Sequence, residues 1–215
     1  MEILEIWRNL EIVARATKEE TISVSGKTVS PLLPKQAHEL YQFWKQGLSV
    51  LAFNADNEVI GHAAIEPLIE SQNWYELGAV WVRRDHRGCG DHKHRHVGLR
   101  LYNSLLSRHE DKNILATTVN PAAMVVGYRA RMVALPYRAL PINVWQTTCC
   151  CPSSKTGTLQ NVPYCQLRER SCFVRVTKQT WERLGCPAVS RLPIALPTDR
   201  PAIVGVNDGV NFVFP

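Results

Sequence analysis

A chain of 215 residues with 45% apolar and 20% charged residues has the composition of an ordinary globular protein. That length suits one large domain, or a domain of about 150 residues with an appendage. No apolar run reaches transmembrane length, and Glu2 and Glu5 stand where a secretory signal would carry Lys or Arg, so a cytoplasmic protein without a membrane anchor is expected. The net charge of +6 favours a phosphate-bearing partner, with nucleic acid and a phosphorylated cofactor both compatible.

Ile3, Ile6, Trp7, Leu10 and Val13 recur at three- and four-residue steps, which predicts an amphipathic helix over residues 2–14. Two short β-rich runs about Ser25-Gly26 predict a hairpin within 20–31. Pro34 precedes a helix that Gly47 ends, with Leu40, Phe43 and Trp44 on its apolar face. Residues 49–55 and 59–68 read as paired strands about the turn Asp56-Asn57-Glu58. A strand from Trp74 to Arg83, a helix over 97–109 and a buried strand over 113–119 follow. Asn120 is a favoured N-cap and Pro121 a favoured first helical residue, so a helix is expected to about Arg131. Residues 132–146 read as strand-like, broken by Pro136 and Pro141.

Composition changes beyond 147. Residues 147–172 are rich in Cys, Ser, Thr and Gly, 172–176 read as a strand and 178–185 as a short helix. Four prolines make 187–201 an extended linker, and 202–214 reads as a hairpin turning at Asn207-Asp208-Gly209. The expected organisation is a main domain over 1–146 and a Cys-rich C-terminal extension over 147–215, packing on it and ending in the hairpin.

The chemistry-bearing stretch is 76–106. A strand runs into a basic loop containing Gly88 and Gly90, which opens onto a helix with Val97 and Gly98 in its first turn. Glycines let backbone approach a phosphate, and the free N–H groups and dipole of a helix N-terminus attract it. Residues 83–100 hold six Lys/Arg (Arg83, Arg84, Arg87, Lys93, Arg95, Arg100) against Asp85 and Asp91. Much of the net charge thus sits on one loop, as a polyphosphate ligand would require.

Two clusters invite a metal reading. One is His86, His92, His94 and His96, the last three alternating along the loop, where contact with phosphate or solvent is favoured over metal. Five of the seven cysteines lie in 149–172. A tetrahedral zinc site could draw on Cys149, Cys151, Cys165 and Cys172, but the spacings form no standard pair, and buried or free thiols are the default. Cys89, beside a helix N-terminus and cations, is either a reactive thiol or incidental.

The order of strand, hairpin strand, strand, basic Gly loop, helix, strand and Asn-capped helix over about residues 35–140 resembles the GNAT superfamily of N-acetyltransferases. The segment from Val82 through Arg87-Gly88-Cys89-Gly90 matches the first half of that family's pyrophosphate loop, and Val97-Gly98-x-x-Leu101 the second. Residues 91–96 are inserted between the halves. The resemblance implies an α/β (α+β) acyl-CoA N-acyltransferase fold, a mixed, mostly antiparallel twisted sheet flanked by helices.

It also implies roles. Arg87, Gly88, Cys89, Gly90, Val97 and Gly98 would hold the pyrophosphate of acetyl-CoA, with Gly98 as the main contact. Backbone N–H groups of Val80, Trp81 and Val82 at a bulge would polarise the thioester carbonyl. Glu76 would be the base, or else a solvent-facing strand residue. Tyr128, eight residues after Asn120 where seven is usual, would protonate the leaving thiolate, or else simply pack. Asn120 would cap its helix and bond the pantetheine arm.

The implied function is transfer of acetyl from acetyl-CoA, as cosubstrate, to an unidentified amine acceptor by direct attack. The alternative is an inactive fold of the same kind contacting nucleic acid through the basic loop and Cys-rich tail. The absence of aromatic residues from 83–100 counts against the alternative. The tail is left with three roles: shaping the acceptor pocket, forming a homodimer interface, or covering the sheet edge.

Overall fold

In the computed structural model, residues 2–24, 27–29, 34–87, 96–118, 120–135, 139–148, 173–188 and 209–215 are described. The chain begins with α1 (Ile3–Glu19), which buries Ile6, Leu10, Val13 and Thr17 at three- and four-residue spacing. It runs five residues past the expected end because Arg15, Ala16, Lys18 and Glu19 are good helix formers. Ile3, assigned to the same apolar face, is instead 71% exposed. Strands β1 (Ile22–Val24) and β2 (Lys27–Val29) pair antiparallel about Ser25-Gly26, as the sequence predicts. Helix α2 (Ala37–Lys45) opens on a capping box between Gln36 and Glu39. Gly47, at φ +75°, closes it.

The main sheet begins with β3 (Ser49–Phe53) and β4 (Val59–Ile69) in antiparallel pairing. Their turn is tied by Asn54, whose Oδ1 accepts from the N–H groups of Asp56 (3.1 Å) and Glu58 (2.8 Å). Strand β5 (Trp74–Val82) continues antiparallel on β4. Helix α3 (Val97–Arg108) then crosses over to β6 (Asn113–Thr118), which lies parallel to β5. The chain continues through α4 (Pro121–Arg129), β7 (Val133–Leu135) and α5 (Ile142–Thr148). It ends with β8 (Phe173–Val176), a helix α6 (Lys178–Leu184) and β9 (Asn211–Val213).

The seven strands lie in the order β7-β8-β6-β5-β4-β3-β9. Helix α3 covers one face, with Leu101, Tyr102 and Leu105 packed on Val50, Ala52, Ala63, Ile65 and Leu77. A Cβ at Gly61 would lie 3.0 Å from Leu101 Cδ1 and 3.3 Å from Val97 Cγ1, so the glycine lets this helix sit close on the sheet. Helices α1 and α2 cover the other face through Leu10, Val13, Leu40 and Trp44 against Leu51, Phe53 and Trp81. A third cluster gathers Trp74, Leu115, Val144, Trp145, Val174 and Val176 near α5 and α6.

Two expectations change, and a third lies partly outside the described residues. The segment 132–146 is one short strand followed by α5, not a continuous strand pattern. Pro141 begins the helix, accepting at its carbonyl from the Trp145 N–H (3.0 Å), and a short apolar run does not by itself distinguish strand from helix. The C-terminal part is not merely laid on a finished domain. Strand β8 is inserted between β6 and β7, antiparallel to both, and β9 adds an edge to β3. In the expected C-terminal hairpin, residues 202–208 lie outside the described residues, and the described limb pairs with β3. Among the described residues no helix is long and apolar enough to cross a membrane.

Candidate active site

Strands β5 and β6 pair only at Trp74↔Asn113, Tyr75↔Ile114 and Glu76↔Leu115. Beyond that point β5 stays on β4 as far as Val82, while β6 stays on β8 as far as Thr118. The two parallel strands therefore part at Glu76, leaving a fork in the middle of the sheet. Such a fork exposes strand edges to a ligand's amides.

On one prong of the fork the backbone is irregular. The β4–β5 register passes from Ala64↔Gly78 to His62↔Trp81, so Ala79 and Val80 together face the single residue Ala63. This is a β-bulge, and Ala79 takes φ +47° within it. The bulge lies where Val80, Trp81 and Val82 are expected to present their N–H groups. His62, fully buried, has Nδ1 2.9 Å from the Ala79 carbonyl oxygen. Burial pushes the His62 pKa down to about 4, so the ring is neutral. A carbonyl oxygen can only accept, so Nδ1 carries the proton and donates. The sequence reading missed His62; its signal was a lone His inside an otherwise apolar strand.

Glu76 stands at the apex of the fork. Its Oε1 accepts from the Thr117 hydroxyl across the opening (2.5 Å). Burial raises its pKa to about 7, with the neighbouring Glu66 charge adding to the rise and the Thr117 hydrogen bond and Lys35 opposing it. Glu66 is the direct cross-strand partner of Glu76 on β4 and is ion-paired to Lys35 (2.5 Å). A carboxyl group poised near neutrality can hold or release a proton at physiological pH. The sequence reads Glu76 as the base or else as a solvent-facing strand residue; in the structure its side chain is half-buried and held by Thr117. Thr117, Glu66 and Lys35 were not foreseen, because the register that brings them to Glu76 is tertiary.

Asn120 caps α4, its Oδ1 accepting from the Ala122 N–H (3.0 Å), as its position before Pro121 predicts. Position 127, seven residues on, is buried under Arg175 of β8. A Cβ there would lie 3.0 Å from the Arg175 Cδ, which explains why a side chain is absent from that position. Tyr128 follows, half-buried on the last turn of α4. Among the described residues Nη2 of Arg175 has no hydrogen-bond partner, and burial lowers the pKa of this guanidinium.

The N-terminus of α3 has no side-chain cap, and His96 leads into it at φ +63°. Gly98, in the first turn, has room for a Cβ: the nearest atoms would be Val82 Cγ2 at 3.7 Å and Val126 Cγ2 at 3.9 Å. Packing within the protein therefore does not require this glycine, whereas close approach of a ligand to the first turn would. Val97 is buried beneath it.

Arg87 departs from expectation. Its guanidinium is engaged by Glu20 at the end of α1, Nη1 to Oε1 at 2.7 Å and Nη2 to Oε2 at 2.8 Å, while Nε donates to the Val82 carbonyl (2.5 Å). It clasps the end of β5 to α1, so its guanidinium already has a carboxylate partner. Arg83 likewise bonds Glu58 and Asp85, both at 2.9 Å. The local charge excess of 83–100 is thus reduced by Glu20 and Glu58, two carboxylates distant in sequence. Gly88, Cys89 and Gly90 lie outside the described residues, as do His92 and His94 and the candidate zinc ligands Cys149, Cys151, Cys165 and Cys172. Among the described residues no three His, Cys, Asp or Glu side chains are grouped to hold a metal ion.

The fold agrees with comparisons to known proteins. No curated protein matches the chain in sequence. A Mycobacterium tuberculosis protein solved with CoA superposes with a TM-score of 0.50 at 15% identity, covering 78% of this chain and 93% of that one. Ribosomal-protein-alanine N-acetyltransferase from Brucella melitensis gives 0.47 at 16% identity, covering 82% and 96%. N-acetylglutamate synthase from Neisseria gonorrhoeae, complexed with coenzyme A and N-acetyl-glutamate, gives 0.47 at 14% identity, covering 79% and 32%. Residues 24–124, which contain α2, the strands β3 to β6, the bulge and the first turn of α4, match the model of the acetyltransferase (GNAT) family. Over that segment the chain is similar to the GNAT family of acetyltransferases.

Proposed function

We propose that this protein transfers the acetyl group of acetyl-CoA to a primary amine by direct attack. The observation that carries the reading is a carboxyl group with a near-neutral pKa, Glu76, standing where β5 and β6 part beside a bulge. The pantetheine arm would enter the fork and bond the free strand edges. The first turn of α3, with Val97 and Gly98, would take the pyrophosphate. The N–H groups of Val80 to Val82 would polarise the thioester carbonyl, held in place by the bulge that His62 secures. Glu76 would accept the proton of the incoming ammonium, because an amine attacks only through its free lone pair. Tyr128 would return a proton to the thiolate. Asn120, beyond its capping role, would bond the arm through its amide.

The test is titration calorimetry with acetyl-CoA, followed by a panel of amines assayed for thiol release. Binding of acetyl-CoA and amine-dependent thiol release are expected. An acyl-enzyme that hands its acetyl group on to an added amine would overturn direct attack. Failure of acetyl-CoA to bind would overturn the whole reading.

A further inference from the structure

Lys35 lies between β2 and α2, just before the Gln36 that caps α2. Its side chain crosses to the sheet, where Nζ is 2.5 Å from Glu66 Oε2. The other oxygen of Glu66 lies 3.0 Å from the position a Cβ on Gly78 would take. This carboxylate therefore covers β5 one residue before the bulge. Glu66 is also the cross-strand partner of Glu76, and the Lys35 charge is close enough to act on Glu76. The Phe43 ring supports the ammonium from the α2 side, 5.7 Å from its centroid. The protein thus holds one of its own primary amines on the carboxylate that faces its candidate base across the β4–β5 register.

We propose that Lys35 is a self-acetylation site: its Nζ takes the acetyl group of acetyl-CoA bound in the fork, giving Nε-acetyl-Lys35 and free CoA. This rests on the acetyltransferase reading above. The ammonium gives one proton to Glu76, and the freed lone pair attacks the thioester carbonyl carbon. The C–N bond forms, the C–S bond breaks with its electron pair on sulfur, and the thiolate takes a proton as the nitrogen loses its second. No oxidant or further reactant is needed. The ion pair with Glu66 must open before Nζ can attack, so the reaction is slower than with a free amine. The product amide carries no charge, so it releases Glu66 to receive a cationic acceptor.

The experiment incubates the full chain with isotopically labelled acetyl-CoA and no amine, then maps labelled peptides by mass spectrometry. Label at Lys35 is expected to accumulate to one acetyl group per chain, well ahead of Lys178, which is exposed and reports chemical acetylation. Excess CoA should suppress label at Lys35 but not at Lys178. Glu76→Gln should slow the Lys35 reaction about 100-fold, the scale of losing a positioned base. Equal labelling of Lys35 and Lys178, or no effect of CoA, would refute the proposal whether or not the Gln variant folds. If acetyl-CoA binds and free amines are acetylated while Lys35 stays unmodified, self-acetylation is wrong and the transferase reading survives. If acetyl-CoA does not bind, both fail.

Discussion

The Nδ1 of His62 donates to the carbonyl of Ala79 across 2.9 Å, and that bond fixes the backbone of a bulge whose first residue is held at φ +47°. A non-glycine residue at positive φ costs about 1–3 kcal/mol and persists only when its surroundings hold it. The His62 ring is fully buried and neutral, so it serves as a fixed donor across the physiological pH range.

His62→Phe keeps the volume and removes the donor. The half-buried Ala79 carbonyl loses its partner, which should cost about 1 kcal/mol in chemical denaturation. The relaxed bulge should also lower kcat by about tenfold or more, within the scale known for displaced oxyanion donors, with the acetyl-CoA Kd nearly unchanged. A variant that loses stability but keeps kcat would separate the bulge from catalysis.

Glu76 makes both activity and stability depend on pH. Its folded pKa, about 7, lies above the ordinary carboxyl value of 4.5 because burial opposes ionisation. Below 4.5 the carboxyl is protonated in both folded and unfolded states, so folding incurs no penalty. Between 4.5 and 7 the unfolded chain releases the proton and the folded chain does not, so stability falls as pH rises, by about 3 kcal/mol in all. Glu76→Gln should flatten this part of the stability profile and be more stable than the parent at pH 8. It should also abolish the rise in kcat/KM expected near pH 7. Parallel urea titrations at pH 4, 6 and 8 check the first point, and a pH–rate profile the second.

Gly98→Glu tests the phosphate site. The space about Gly98 admits a Cβ, so the variant should unfold within a few degrees of the parent. A carboxylate in the first turn of α3 would repel a pyrophosphate, and acetyl-CoA should no longer bind by calorimetry. Unaltered affinity in the folded variant would move the phosphates elsewhere.

Arg87 and Glu20 are expected to act as a structural pair. The bidentate contact is partly exposed, so a double-mutant cycle of Arg87→Ala and Glu20→Ala should give a coupling of about 1 kcal/mol. Arg87→Ala alone should leave the acetyl-CoA Kd within about twofold. A tenfold loss of affinity would instead return Arg87 to the phosphate site.

The sequence by itself determined the elements whose signals are local. Apolar spacing marks α1, α2 and α3, Gly47 and Asn120 mark helix ends, and the run from Val82 to Leu101 marks a strand and a helix joined by a basic segment. Those signals carried the family resemblance and placed Glu76 on the strand before the loop. They could not distinguish strand from helix in the short run 142–148, where packing against Trp74 and Leu115 decides. Nor could they show that Phe173–Val176 belongs inside the sheet, because strand pairing is a contact between distant segments. The same reason governs the site. Whether Glu76 is wet or enclosed depends on Thr117 across the fork and Glu66 across the register, 41 residues ahead in one case and on the preceding strand in the other. The partner of Arg87 is Glu20, 67 residues away, so a charge count along the loop overstates what remains for a ligand. Only the tertiary structure brings Lys35 to Glu66, because ion pairs form where the folded backbone places the charges and not where the sequence clusters them.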